Sequence, residues 1–177
     1  MRPELAIALG ASAAGAVLGG VLAMFGSWVA ERRSLLLRRR EQVEADVRFV
    51  DSVVAVVCGY LCDPSVRIEL DTPEHERYQA MFDAMGRIDV SLWAVPRKRR
   101  AELRRRLDVL TLRTTVAYSA IGLHGRRAPK SLIVDGFANM LSPALYGEKG
   151  EAYQQDRQAA ANAISRAWWG EELFPTR

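Results

Sequence analysis

Two kinds of hydrophobic pattern follow one another along this chain. From Leu5 to Ala30 no residue is charged, over 26 positions. Beyond Glu31, apolar residues instead recur every three or four positions with charge between them. The first pattern has no polar face. As a helix rising about 1.5 Å per residue it would run about 39 Å, longer than the roughly 30 Å hydrocarbon core of a bilayer. A helix that is apolar on every side has to be surrounded by lipid or protein. The stretch is therefore expected to be a transmembrane helix with room to tilt.

Its flanks give an orientation. On the amino side stand only Arg2, Glu4 and the α-amino group, whereas Arg32, Arg33, Arg38, Arg39 and Arg40 follow on the carboxyl side. The positive-inside rule puts the carboxyl side in the cytoplasm and the amino terminus outside. A cleaved signal peptide is the alternative. Its best cleavage site, Trp28-Val29-Ala30, has Trp where a small residue is wanted, and the arginines after it resist translocation.

Within the stretch, Ala11, Gly15, Gly19, Ala23 and Ser27 recur every four positions. Residues four apart share a helix face. Lipid gives helices no hydrophobic reason to associate, but small residues let two backbones approach closely. The expectation is self-association, or pairing with the span of another membrane protein. A span that is merely rich in Ala and Gly is the plainer alternative.

The second pattern predicts helices throughout. Val43, Val47, Val50, Val54, Val57 and Leu61 mark one apolar stripe, which Asp63-Pro64 ends. No proline interrupts Glu31 to Leu61, so this helix is expected to continue the span directly. Val66-Arg67-Ile68-Glu69-Leu70 alternates, but no second strand offers itself, so an extended loop is expected. Thr72-Pro73-Glu74 then reads as a helix start, with Thr as cap and Pro at the first position. Tyr78, Met81, Phe82, Met85, Ile88 and Leu92 form its stripe, and the helix is expected to reach about Val95.

Pro96 opens the next helix, with Leu103, Leu107, Leu110, Thr114, Ala117 and Ile121 inward. Ser131 is expected to cap a shorter helix to about Leu141. Ser142-Pro143 and Gly147 then make a turn, and Glu151 to Trp169 a last helix with Tyr153, Ala160, Ile164, Ala167 and Trp168 inward. The predicted fold is all-α: a membrane anchor over 1–30, a juxtamembrane helix over 31–62, and the rest of a cytoplasmic bundle of four or five helices over 63–177.

Composition agrees with a folded chain, since 49% of the 177 residues are hydrophobic. Charge changes the picture more. Pro96 to Arg106 holds seven basic residues, Arg97, Lys98, Arg99, Arg100, Arg104, Arg105 and Arg106, against Glu102 alone. Cations in the first turn oppose the helix dipole, so something outside the helix is expected to balance them. If neighbouring helices are antiparallel, this cluster returns to the level of Arg32 to Arg40, where Trp93 would be an interfacial aromatic. Anionic lipid headgroups are the favoured partner. Pairing with acids such as Glu69, Asp71, Glu74, Glu76, Asp83 and Asp89 is the plainer reading. Nucleic acid is a third, without a recognised binding motif or interleaved aromatics to support it.

Little points to catalysis. Cys58 and Cys62 share a helix face, and with His75 and His124 they make a zinc set on paper, but the spacing fits no compact zinc motif. Small buried thiols in a core are the simpler reading. There is no glycine-rich phosphate loop, no paired-histidine metal motif and no nucleophile with a partnered base. The expectation is a protein that is not an enzyme and uses no metal, cofactor or small-molecule substrate. Near the end, Trp168 and Trp169 are adjacent and cannot both point inward on a helix. Trp169, Leu173 and Phe174 are a candidate partner-docking patch. The function expected is a membrane-anchored interaction or scaffold protein that forms homo-oligomers. A membrane-tethered nucleic-acid binder using 97–106 is the rival.

Overall fold

The structure, a computed structural model, describes residues 3–66 and 71–169. Side-chain surroundings are described from residue 22 onward, except at 124, 148, 153, 157, 160, 161, 164, 165 and 167–169. The elements in order are α1 (Pro3–Cys62), α2 (Pro73–Val90), a 3-10 turn (Leu92–Ala94), α3 (Arg97–His124), α4 (Ser131–Ala138), α5 (Ser142–Tyr146) and α6 (Glu148–Trp169). No strand occurs among the described residues. The chain divides into two compact units, residues 1–39 and residues 40–177.

The first unit is helical from Pro3. Every residue from Leu22 to Trp28 is exposed. Leu22, Met24, Phe25 and Trp28 are the large apolar side chains left bare. Among the described residues no helix is long and apolar enough to cross a membrane. Most of the stretch expected to do so, with Ala11, Gly15 and Gly19, lies outside the described side chains. Of the small-residue row, Ala23 and Ser27 are described, and both are exposed.

The second unit is a helical bundle around one core. The α1 stripe Val43, Val47, Val50, Val54, Val57 and Leu61 is buried throughout. Neighbouring helices run antiparallel, as their cross-contacts require. Arg87 of α2 grips the buried Asp46 of α1 through Nη2 at 2.7 Å and Nε at 3.2 Å, while Arg77 reaches Tyr60 at the opposite end. In α3, Thr111 meets Met85, and Tyr118 stacks on Tyr78 with ring centroids 4.2 Å apart. The predicted stripes of α2 and α3 are buried with two exceptions. Phe82 is 38% exposed, and Ile121 is half-buried at the core edge.

The sequence reading of element ends needs four corrections. Helix α2 stops at Val90 rather than about Val95, because the chain tightens into the 3-10 turn over Leu92–Ala94. Ser131 is the first residue of α4, not its cap, and α4 ends at Ala138. The turn expected at Ser142 is a short helix, α5, with Pro143 in its first turn, where a missing N–H costs nothing. The last helix starts at Glu148, three residues early. Thr72 caps α2 as expected, accepting the His75 N–H at 3.3 Å. The alternating segment is described only as far as Val66, and the expected inward residues of α6 lie outside the described side chains.

Candidate functional site: the basic end of the bundle

Pro96 precedes α3, and no side chain caps its amino terminus. Arg97 to Arg100 therefore crowd a turn whose free N–H groups already carry positive potential. The compensation lies in neighbouring helix ends. Arg99 donates through Nη1 to the carbonyl of Leu145, near the end of α5. Arg106 donates to the carbonyl of Met140 at 2.9 Å, just beyond the end of α4, and its Nε meets Glu102 at 2.7 Å. Arg100 takes the carbonyls of Trp93 and Val95 at 2.8 and 3.0 Å. The closing carbonyls of short helices lack intrahelical donors and carry negative potential, so cations there are favourable. Three of the seven basic side chains thus stitch α3 to its surroundings.

The other four face outward. Arg97, Lys98, Arg104 and Arg105 are exposed. Arg105 pairs with Glu102 at 2.7 Å, and Arg104 stands 4.0 Å from Asp89. Among the described residues no acid lies within ion-pair distance of Arg97 or Lys98. Glu102, held by Arg105 and Arg106 hydrogen bonds, has its carboxyl pushed down to about 2. Of the acids expected as partners of this cluster, Glu69 lies outside the described residues, and among the described ones only Asp89 comes within reach.

Within the second unit, residues 44–51 of α1 also lie at this end of the bundle. Glu44 and Arg48 of α1 act on Tyr146 of α5, whose hydroxyl is pushed up mainly by burial. Asp51, one turn further along, accepts the N–H groups of Leu141 and Ser142 at 2.8 Å each. In the first unit, Arg32, Arg33, Arg38 and Arg39 are exposed, as is Arg40 at the start of the second. The Arg32 guanidinium sits 4.6 Å over the Trp28 ring.

The remaining candidates are not assembled into a site. Cys58 is fully buried, and burial pushes its thiol far above the ordinary range. Cys62 donates to the Pro129 carbonyl at 3.2 Å, and burial pushes it up to about 11. His75 shares a 2.6 Å hydrogen bond with the Tyr118 hydroxyl through Nδ1. His124 lies outside the described side chains. Among the described residues no group of His, Cys, Asp and Glu could hold a metal ion. Trp169, Leu173 and Phe174 also fall outside the described side chains. Sequence reasoning missed Asp51, Arg99, Arg100 and Arg106 as structural ties. The unbalanced charge at the start of α3 was the signal that some such tie existed. No known protein family matches the chain, and no curated protein or solved structure matches it.

Proposed function

We propose that this chain is a membrane-anchored interaction protein. Residues 5–30 span the bilayer with the amino terminus outside. The helical bundle stands in the cytoplasm and offers its surface to a partner. The small-residue row Ala11, Gly15, Gly19, Ala23 and Ser27 brings copies of the chain, or the span of another membrane protein, together. Arg32, Arg33, Arg38, Arg39 and Arg40, with the outward Arg97, Lys98, Arg104 and Arg105, contact anionic headgroups at about 1 kcal/mol each at close range.

One observation carries this reading: an uncharged stretch of 26 residues ends against a run of arginines. Where its side chains are described, from Leu22 to Ala30, all but the half-buried Val29 are exposed. Such a surface is stable only where water is excluded, and the adjacent guanidinium groups fix the side on which water resumes.

Crosslinking the full chain in native membranes tests it, alongside the double variant Gly15→Leu/Gly19→Leu. The reading expects the chain to stay with the membrane pellet after alkaline extraction. It also expects a crosslinked ladder in the wild type that the variant lacks. A chain released to the supernatant would refute the anchor. An identical ladder in both chains would refute the small-residue interface.

A further inference from the structure

We infer that the α2–α3 corner, carrying Val90, Trp93 and Pro96, is a second membrane contact that inserts among anionic lipid headgroups. The inference rests on the membrane reading above and names the surface through which the bundle itself would touch lipid.

Three observations meet at this corner. The first is its apolar edge. Val90 is 76% and Trp93 52% exposed, and Pro96 is exposed as well. They lie three residues apart around a 3-10 turn, where side chains three apart stand in line. Ser91, Leu92 and Val95 between them are buried, so the turn is held on one side and bare on the other.

The second is charge. Arg97 and Lys98 follow the edge directly, and Arg104 and Arg105 come in the next turns of α3. Asp89, next to Val90 in the chain, is met by Arg104 at 4.0 Å. An indole among cations matches the headgroup layer, whose phosphates lie next to the first apolar carbons.

The third is the backbone. A chain segment entering the interface is penalised for every unsatisfied polar group. Here Ser91, Ala94 and Val95 donate their N–H groups within the corner, and Pro96 has none to satisfy. The Trp93 and Val95 carbonyls are both taken by Arg100. The Pro96 carbonyl accepts from Arg99 and Arg100 of the backbone at 2.9 and 3.2 Å. Arg100 thus satisfies two carbonyls of the corner that would otherwise need water.

The test reads Trp93 in the full chain reconstituted into vesicles. The difference between wild type and Trp93→Phe isolates its emission. The difference between wild type and Trp28→Phe isolates that of the anchor. Vesicles contain brominated phosphatidylcholine, with or without phosphatidylglycerol. The inference expects Trp93 emission to shift to the blue and be quenched only when phosphatidylglycerol is present. Arg97→Glu/Lys98→Glu should abolish that quenching and leave Trp28 quenched. Trp28 quenched with Trp93 unquenched in both vesicles would overturn the inference and leave the anchor standing. Neither residue quenched would overturn both. A Trp93 response to duplex DNA but not to anionic vesicles would assign the corner to nucleic acid instead.

Discussion

The carboxylate of Asp51 on α1 accepts the backbone N–H groups of both Leu141 and Ser142, each at 2.8 Å, and the Ser142 hydroxyl as well. One buried side chain thus fixes the start of α5 to a helix 90 residues earlier in the chain. Removing it strands two buried N–H groups, each costing about 1–3 kcal/mol, besides freeing the Ser142 hydroxyl. Asp51→Ala should therefore lower the unfolding free energy by several kcal/mol in urea titrations. Asp51→Asn, which keeps one acceptor oxygen, should cost less.

The same carboxyl gives a pH signature. Burial raises its pKa above the ordinary 3.8, against the opposing pull of its hydrogen bonds and of Arg106. Between the unfolded and the raised folded value the native state holds the extra proton. The contribution of Asp51 is therefore largest below the unfolded value and declines as pH rises through the folded one, then levels off. Urea titrations of wild type and Asp51→Asn across this range should show the gap between them narrowing as pH rises from about 4.

The basic cluster should split in two when each residue is replaced by Ala. Arg99 and Arg106 hold backbone carbonyls of other elements. Their loss should cost about 1–3 kcal/mol, as for hydrogen bonds to charged groups. Arg97→Ala and Lys98→Ala should leave stability within about 0.5 kcal/mol, as exposed substitutions do. Thermal melts of the four variants check this. Equal losses across all four would contradict the division between inward and outward cations.

Glycine substitutions probe the seam between α5 and α6. A Cβ on Gly150 would stand 2.1 Å from the Ser142 carbonyl oxygen, which belongs to backbone and cannot swing aside. Gly150→Ala should destabilise by at least the roughly 1–3 kcal/mol of an overpacked core. Gly122, inside α3, meets nothing within 4 Å. Gly122→Ala should be neutral or raise stability by up to about 1 kcal/mol. Paired melting curves distinguish the two.

Thiol chemistry should follow burial. Cys58 is inaccessible and Cys62, pushed up to about 11, has little thiolate near neutral pH. A disulfide reagent should modify the native protein slowly, at Cys62, and both residues quickly in denaturant. Fast native labelling of Cys58 would contradict the packing of α1 against Gly136 of α4, where Cys58 Sγ would lie 3.1 Å from an added Cβ.

Much of the fold could be read from periodicity. The valine stripe of α1 and the leucine stripe of α3 are local repeats, and core burial needs nothing more than that repeat. The Thr72-Pro73 start of α2 is equally local. What escaped reading depends on distant partners. Five residues of α5 carry no periodicity, and their helix start is held by Asp51 from another part of the chain. The arginines looked alike in sequence. Whether one turns inward depends on where the ends of α4 and α5 fall, and only the folded chain sets that. The corner over Leu92–Ala94 was hidden for a related reason, since apolar Val90 to Val95 reads as more helix until the tightened turn separates its buried from its bare residues.

Protease protection in sealed membrane vesicles tests the central claim most directly. The account predicts that protease added to inside-out vesicles digests the bundle and leaves a protected amino-terminal fragment containing Leu5 to Ala30. In right-side-out vesicles the bundle should survive intact. Digestion of the whole chain in both preparations, with no protected fragment, would contradict a membrane anchor. Digestion of the bundle from the outer face alone would reverse its orientation.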